Sequence, residues 1–126
     1  MRICRVTIVV FPGVLTLDVS GPYEVLTGVN SALGRTVYDI TTASSAAGPI
    51  TADGGLQLVA EHRLADLDEV DLLVVPGGWG ARALGPDDDV VRQVRRLAAV
   101  AERTMSVCTG AFVLAAAGVL DGTVAA

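Results

Sequence analysis

Two stretches of this chain are apolar almost without interruption where a strand with one wet face would alternate: residues 6–11, Val-Thr-Ile-Val-Val-Phe, and residues 72–75, Leu-Leu-Val-Val. Successive side chains of a strand point to opposite faces, so a continuous run must be covered on both. That pattern belongs to parallel strands inside an α/β sheet with helices on either side. Between the two runs the sequence predicts a helix over residues 19–33, a strand over 38–43 and a Gly/Ser/Ala-rich loop over 44–48. A short hairpin follows, with residues 50–51 and 56–59 flanking Asp53-Gly54-Gly55. After Pro86, the apolar residues Val90, Val94, Leu97, Ala98 and Ala101 recur at helical spacing in a helix that ends near Arg103 and delivers the chain to a strand beginning at Thr104. Strand, helix, strand, then the same again, predicts an open, doubly wound, mostly parallel α/β sheet in one domain over residues 1–126.

Composition narrows the function classes. The chain is 52% hydrophobic and 18% charged, which excludes a disordered segment. Its apolar runs stop well short of the roughly 20 residues that span a bilayer, so no membrane segment is expected. Met1-Arg2-Ile3-Cys4-Arg5 passes directly into a strand with no cleavage site of signal-peptide type, and the expected location is cytoplasmic. Cys4 and Cys108 are then expected as free thiols at opposite ends of the sheet. A net charge of −5 opposes nucleic-acid binding by this segment. The one basic cluster, Arg92, Arg95 and Arg96, follows Asp87-Asp88-Asp89 on a helix and reads as a structural face, with Asp88 and Arg92 an i,i+4 pair.

Residues 104–112, Thr-Met-Ser-Val-Cys-Thr-Gly-Ala-Phe, read as a strand that turns abruptly into a helix over 111–117, with Cys108 at the corner. A thiol there sits beside free backbone N–H groups and the positive end of a helix dipole, which favours the thiolate. In open α/β sheets the ligand crevice lies outside the carboxyl ends of the strands. The loops leaving those ends carry Phe11-Pro12-Gly13 with Asp18, Pro76-Gly77-Gly78-Trp79-Gly80, and Cys108-Thr109-Gly110. Singly, each has a plainer reading: a buried inert cysteine, an aspartate at a helix N-cap, a tight turn. Together they supply the parts of an acyl-transfer or hydration site. Cys108 is the candidate nucleophile, the N–H groups of Thr109 and Gly78 are a candidate oxyanion hole, and a protonated Asp18 is a candidate hydrogen-bond donor to the Cys108 sulfur. Trp79, Tyr23 and Phe112 either line the crevice or pack the core. No cofactor is expected, because Gly77-Gly78-Trp79-Gly80 lacks the spacing of a dinucleotide fingerprint. No metal is expected either, since the single histidine, His62, reads as a solvated surface residue.

Phe11-Pro12-Gly13, Leu17-Asp18-Val19-Ser20-Gly21-Pro22-Tyr23-Glu24-Val25, Val75-Pro76-Gly77-Gly78 and the segment from Val107-Cys108-Thr109-Gly110-Ala111 to Leu120-Asp121-Gly122 resemble the ThiJ/PfpI family of the class I glutamine-amidotransferase-like superfamily. The resemblance spans the whole chain. It implies a flavodoxin-like fold that commonly forms homodimers, a nucleophilic cysteine at a strained elbow (Cys108), an acidic partner (Asp18) and an oxyanion-hole loop at Gly77-Gly78. Within the family the sequence is most similar to the amidase-like N-terminal domains of AraC-type transcription regulators, with the isonitrile hydratases close behind. The partner implied is a small-molecule ligand or substrate. Both branches place a histidine after the Leu-Asp-Gly turn, which would fall about two residues beyond Ala126. The resemblance therefore implies a domain lacking its C-terminal portion, with one side of the sheet uncovered.

Overall fold

The first apolar run forms β1 (Cys4–Val9), and the remaining strands are arranged around it. In the computed structural model, which describes residues 2–122, the chain continues through α1 (Thr16–Leu33), β2 (Tyr38–Ser44), β3 (Gly48–Thr51), β4 (Gln57–Ala60), β5 (His62–Arg63), a 3-10 turn at Leu64–Asp66 and β6 (Leu72–Val75). Then come α2 (Trp79–Ala83), α3 (Asp89–Val100), β7 (Arg103–Ser106) and α4 (Gly110–Ala116). Five strands make one parallel sheet in the order β5-β2-β1-β6-β7, while β3 and β4 form a separate antiparallel hairpin. This is the open, doubly wound α/β architecture that the alternating strands and helices predict, and it agrees with the flavodoxin-like fold that the resemblance implies.

Strand β1 runs down the middle, with Val9 opposite Ala43 of β2 and Ile8 opposite Val74 of β6. Its position explains its composition: Val6, Ile8, Val9, Val10 and Phe11 have no exposed surface. The chain passes from β1 to β2 on one side, then crosses back to β6 on the other. Right-handed crossovers therefore place α1 on one face and α3 on the opposite face. The reversal makes the gap between the carboxyl ends of β1 and β6 the topological switch point.

The two covering helices differ in depth. Val90, Val91, Val94 and Leu97 of α3 are buried, whereas α1 buries only Asp18 and Val19 and leaves Leu17 and Val25 exposed. Strand β7 forms one edge of the sheet, alternating exposed and half-buried residues, with Met105 exposed. Apolar surface is thus left bare on that side, among the described residues. None of their helices is long and apolar enough to cross a membrane.

Some boundaries shift for physical reasons. Helix α1 starts at Thr16, three residues before the predicted Val19, because the Leu15 N–H is fixed by the Gly77 carbonyl at 2.8 Å rather than by a capping side chain. Helix α3 stops at Val100 because Arg103 already gives its N–H to the Asp71 carbonyl and enters β7. Arg92 pairs with Asp89 at 3.6 Å instead of Asp88, whose Oδ2 takes the Gly85 N–H at 2.5 Å. Arg95 donates to the Ala117 carbonyl and Arg96 to those of Leu64 and Leu67, so the basic cluster has structural work. His62 is exposed, on the short edge strand β5.

Candidate functional site

The loops after β1, β6 and β7 meet at the switch point and are laced by backbone hydrogen bonds. Gly80 N–H donates to the Gly13 carbonyl at 3.2 Å, Leu15 N–H to that of Gly77 at 2.8 Å, and Val107 N–H to that of Val75 at 3.0 Å. The approach is so close that Gly78, at φ +124°, has no room for a side chain: a Cβ would strike the Gly13 carbonyl oxygen and lie 2.6 Å from the Leu15 nitrogen. A Cβ at Gly110 would likewise run into the Val75 carbonyl oxygen.

Cys108 stands at the tightest point. Its φ of +52° makes it the one non-glycine residue with positive φ among the described residues. An L-residue pays about 1–2 kcal/mol for that conformation. The Gly110 N–H closes the turn on the Val107 carbonyl at 2.9 Å, and α4 begins there. The corner turns the thiol outward: Cys108 is exposed and lines a cavity of about 240 Å³ with Leu15, Asp53, Gly78, Trp79, Arg82 and Thr109.

Asp18 lies behind this cavity, not in its wall. It sits in the first turn of α1, 8% exposed, and its Oδ2 accepts the Gly77 N–H at 3.1 Å. Among the described residues no hydrogen bond joins it to the Cys108 sulfur. Because α1 starts at Thr16, Asp18 is also not the N-cap; Leu15 is, with no side-chain cap. Pro22 has no N–H to offer the Asp18 carbonyl one turn back, which loosens the helix at this point.

Thr109 and Gly78 meet through the Thr109 side chain. The Gly78 N–H donates to Thr109 Oγ1 at 2.9 Å, and that hydroxyl lies 3.4 Å from the Gly78 carbonyl as a donor. The candidate oxyanion donor at Gly78 is therefore held by a resident hydroxyl. A ligand oxygen reaches it only after Thr109 turns away.

A family model described as the DJ-1/PfpI family matches residues 4–126. The chain belongs to the DJ-1/PfpI family. It is 36% identical over 118 residues to isonitrile hydratase from Pseudomonas putida, across 94% of this chain and 49% of the hydratase. It is 32% identical over 112 residues to the HTH-type transcriptional regulator GbdR from Pseudomonas aeruginosa, across 84% of this chain and 29% of the regulator. A crystal structure of a ThiJ/PfpI family protein from Pseudomonas syringae superposes with a TM-score of 0.83 at 27% identity, covering 97% of this chain and 49% of that one. The chain thus spans about half the length of the hydratase and of the P. syringae protein. Both regulator and hydratase relatives share this DJ-1/PfpI domain.

Two residues of the DJ-1/PfpI cavity carry charge and escaped the sequence reading. Asp53 belongs to the hairpin turn, whose backbone is tied to the first loop by Asp53 N–H to the Val14 carbonyl at 2.8 Å. Arg82 comes from α2, and its Cζ lies 4.9 Å over the Phe112 ring. The signal for Arg82 was its place four residues after Gly78, one helical turn beyond the glycine loop. Trp79 lines the cavity and is 75% exposed, and Phe112 supports Arg82; Tyr23, on α1, is not in the wall.

A larger cavity of about 810 Å³ lies at the amino ends of the strands, away from the switch point. Arg2 pairs there with Asp71, Arg5 with Glu69 and Asp68 with Arg96, while Asp39 is in no ion pair among the described residues. The Arg5 backbone N–H, aided by the nearby Arg2 guanidinium, holds the Asp71 carboxyl below its usual range. Cys4 sits at this end, and burial, reinforced by Asp71, pushes its thiol up, the opposite of activation. Among the described residues no group of three or more His, Cys, Asp or Glu side chains is placed to hold a metal ion.

Proposed function

We propose that this DJ-1/PfpI domain is the small-molecule-sensing part of an AraC-type transcription regulator, with Cys108 a reactive thiol in its ligand cavity. The observation that carries this reading is the mutual engagement of Thr109 and Gly78. With the Gly78 N–H taken by Thr109 and the Asp18 carboxylate given to Gly77, the polar groups at the switch point stabilise the loops themselves. That suits a rigid receptor whose ligand displaces a hydroxyl. The likeness to GbdR supports the same reading. The acidic charge of −5 leaves nucleic-acid contacts to another part of such a regulator.

The strained, outward Cys108 favours a second reading, a cysteine-dependent hydratase like the P. putida relative. There the sulfur attacks the terminal carbon of an isonitrile and Asp18 assists proton transfer, water supplying the oxygen of an N-substituted formamide. The two readings part in one assay. An alkyl isonitrile is incubated with the wild-type chain, Cys108→Ser and Asp18→Asn, and formamide is followed by proton NMR. The sensing reading expects the same background rate in all samples. Formamide production that disappears in both variants replaces it with the hydratase.

A further inference from the structure

We propose that the Cys108 cavity selects small carboxylates, held through Arg82, that carry a hydrogen-bond donor at their other end for Asp53. This rests on the cavity being a ligand site and adds the chemistry of the ligand.

At about 240 Å³ the cavity is smaller than the roughly 300–1,000 Å³ of pockets for drug-sized molecules. A liquid water occupies about 30 Å³, so the space suits a ligand on the order of ten non-hydrogen atoms. Within that space the two charged side chains, Arg82 and Asp53, have no ion pair among the described residues. Arg2, Arg5, Arg63, Arg92 and Arg96 each pair with a carboxylate. Arg82, among the described residues, has no carboxylate within 4.0 Å and rests on the Phe112 ring instead. A guanidinium held over a ring keeps its N–H edge for a planar acceptor, and a carboxylate is the acceptor that edge matches bidentately.

Phe112, on α4, lies four residues after Cys108, so the support for Arg82 follows closely on the corner that carries the thiol. Asp53 faces the same cavity, and among the described residues its side chain has neither a hydrogen bond nor an ion pair. A bare anion gains at Arg82 and is repelled at Asp53. A molecule with a hydroxyl, amide or ammonium at its far end satisfies both groups, and this sets the class as hydroxy-, amido- or aminocarboxylates.

Paired alkylation of Cys108 tests the charge selection without knowing the natural ligand. Iodoacetate and iodoacetamide are nearly the same size; with each, a bond forms from sulfur to carbon, the carbon–iodine bond breaks, iodide leaves with the electron pair, and the thiol proton goes to solvent. Labelling is quantified by mass spectrometry on the Cys108 peptide, so Cys4 does not contribute, and the urea-unfolded chain gives the reference ratio. One charge acting at about 4 Å through water is worth roughly five-fold in the iodoacetate-to-iodoacetamide ratio, so the native wild type is expected to exceed Arg82→Gln by about that factor. Arg82→Gln lowers the ratio to the unfolded value or below it, where Asp53 alone repels the anion, Arg82→Lys restores part of the difference, and Asp53→Asn raises the ratio above that of the wild type. The donor is tested by protection: 3-hydroxybutyrate slows iodoacetamide labelling more than butyrate does, and Asp53→Asn abolishes the difference. A ratio indifferent to Arg82→Gln, or equal protection by the two acids, overturns the proposal while leaving the cavity a site. Labelling at the unfolded rate by both reagents, with no protection, overturns the site itself.

Discussion

Replacing Cys108 by glycine and by alanine separates the strain at the elbow from the chemistry of the thiol. Both variants lose the sulfur and differ only in the Cβ atom. At φ +52° that atom costs about 1–2 kcal/mol, a cost that glycine escapes. Glycine in turn loses more freedom on folding, about 0.4–1 kcal/mol against alanine. The balance leaves Cys108→Gly more stable than Cys108→Ala by about 0.5–1 kcal/mol, a Tm difference of about 2–5 °C for a domain of this size. The residue is exposed, so little apolar burial confuses the comparison. Urea titrations read the difference as a shift in midpoint at constant slope. Ala111→Gly, inside α4, supplies the control, where glycine lowers stability by about 1 kcal/mol. If Cys108→Ala is as stable as Cys108→Gly while the control behaves, the backbone at the elbow is unstrained and the case for a built nucleophile corner fails.

Asp18→Ala is expected to lower stability by about 1–3 kcal/mol, because it strands the Gly77 N–H in a buried place, while Asp18→Asn keeps an acceptor and costs under about 1 kcal/mol; chemical denaturation of the pair reads the contrast. Thr109→Val removes both links to Gly78 and should cost about 1–2 kcal/mol, visible also as faster hydrogen exchange at the Gly78 amide. Asp71 has its folded pKa below the ordinary 3.8, so its contribution is present above that value and lost as pH falls through the lower folded value. The stability gap between wild type and Asp71→Asn should therefore be constant near neutrality and close on acidification below about pH 4; a gap that widens there contradicts the assignment.

The central strands β1 and β6 were legible because burial on two faces leaves a mark in composition, whereas the two-residue exposed edge strand β5 left none. Residues 6–11 are apolar at nearly every position for the same reason that β1 sits between β2 and β6. Helix α3 announced itself through the helical spacing of Val90, Val94 and Leu97 after Pro86, residues that the structure buries. Helix α2 did not, since Trp-Gly-Ala-Arg-Ala is too short for a period to emerge. The start of α1 was missed because no capping residue marks it; a tertiary bond from Leu15 to Gly77 sets it, and contacts across the chain leave no local pattern.

That difference also decides how much of the site the sequence could reveal. Cys108, Asp18, Gly78 and Thr109 could be named because strand ends, turn residues and a strand-to-helix corner are local features. Their pairing could not, because each candidate donor or acceptor had more than one possible partner at the switch point. The structure joins Asp18, expected at the sulfur, to Gly77, and the Gly78 N–H, expected to meet a ligand oxygen, to the Thr109 hydroxyl. An incoming oxygen must then win the Gly78 N–H from a hydroxyl already 2.9 Å away, and exchanging one hydrogen bond for another gains little net energy. On our proposal, selectivity comes from the charged side chains that the loops leave without an ion pair. In the cavity wall those are Arg82 and Asp53, both on elements that the motifs did not mark.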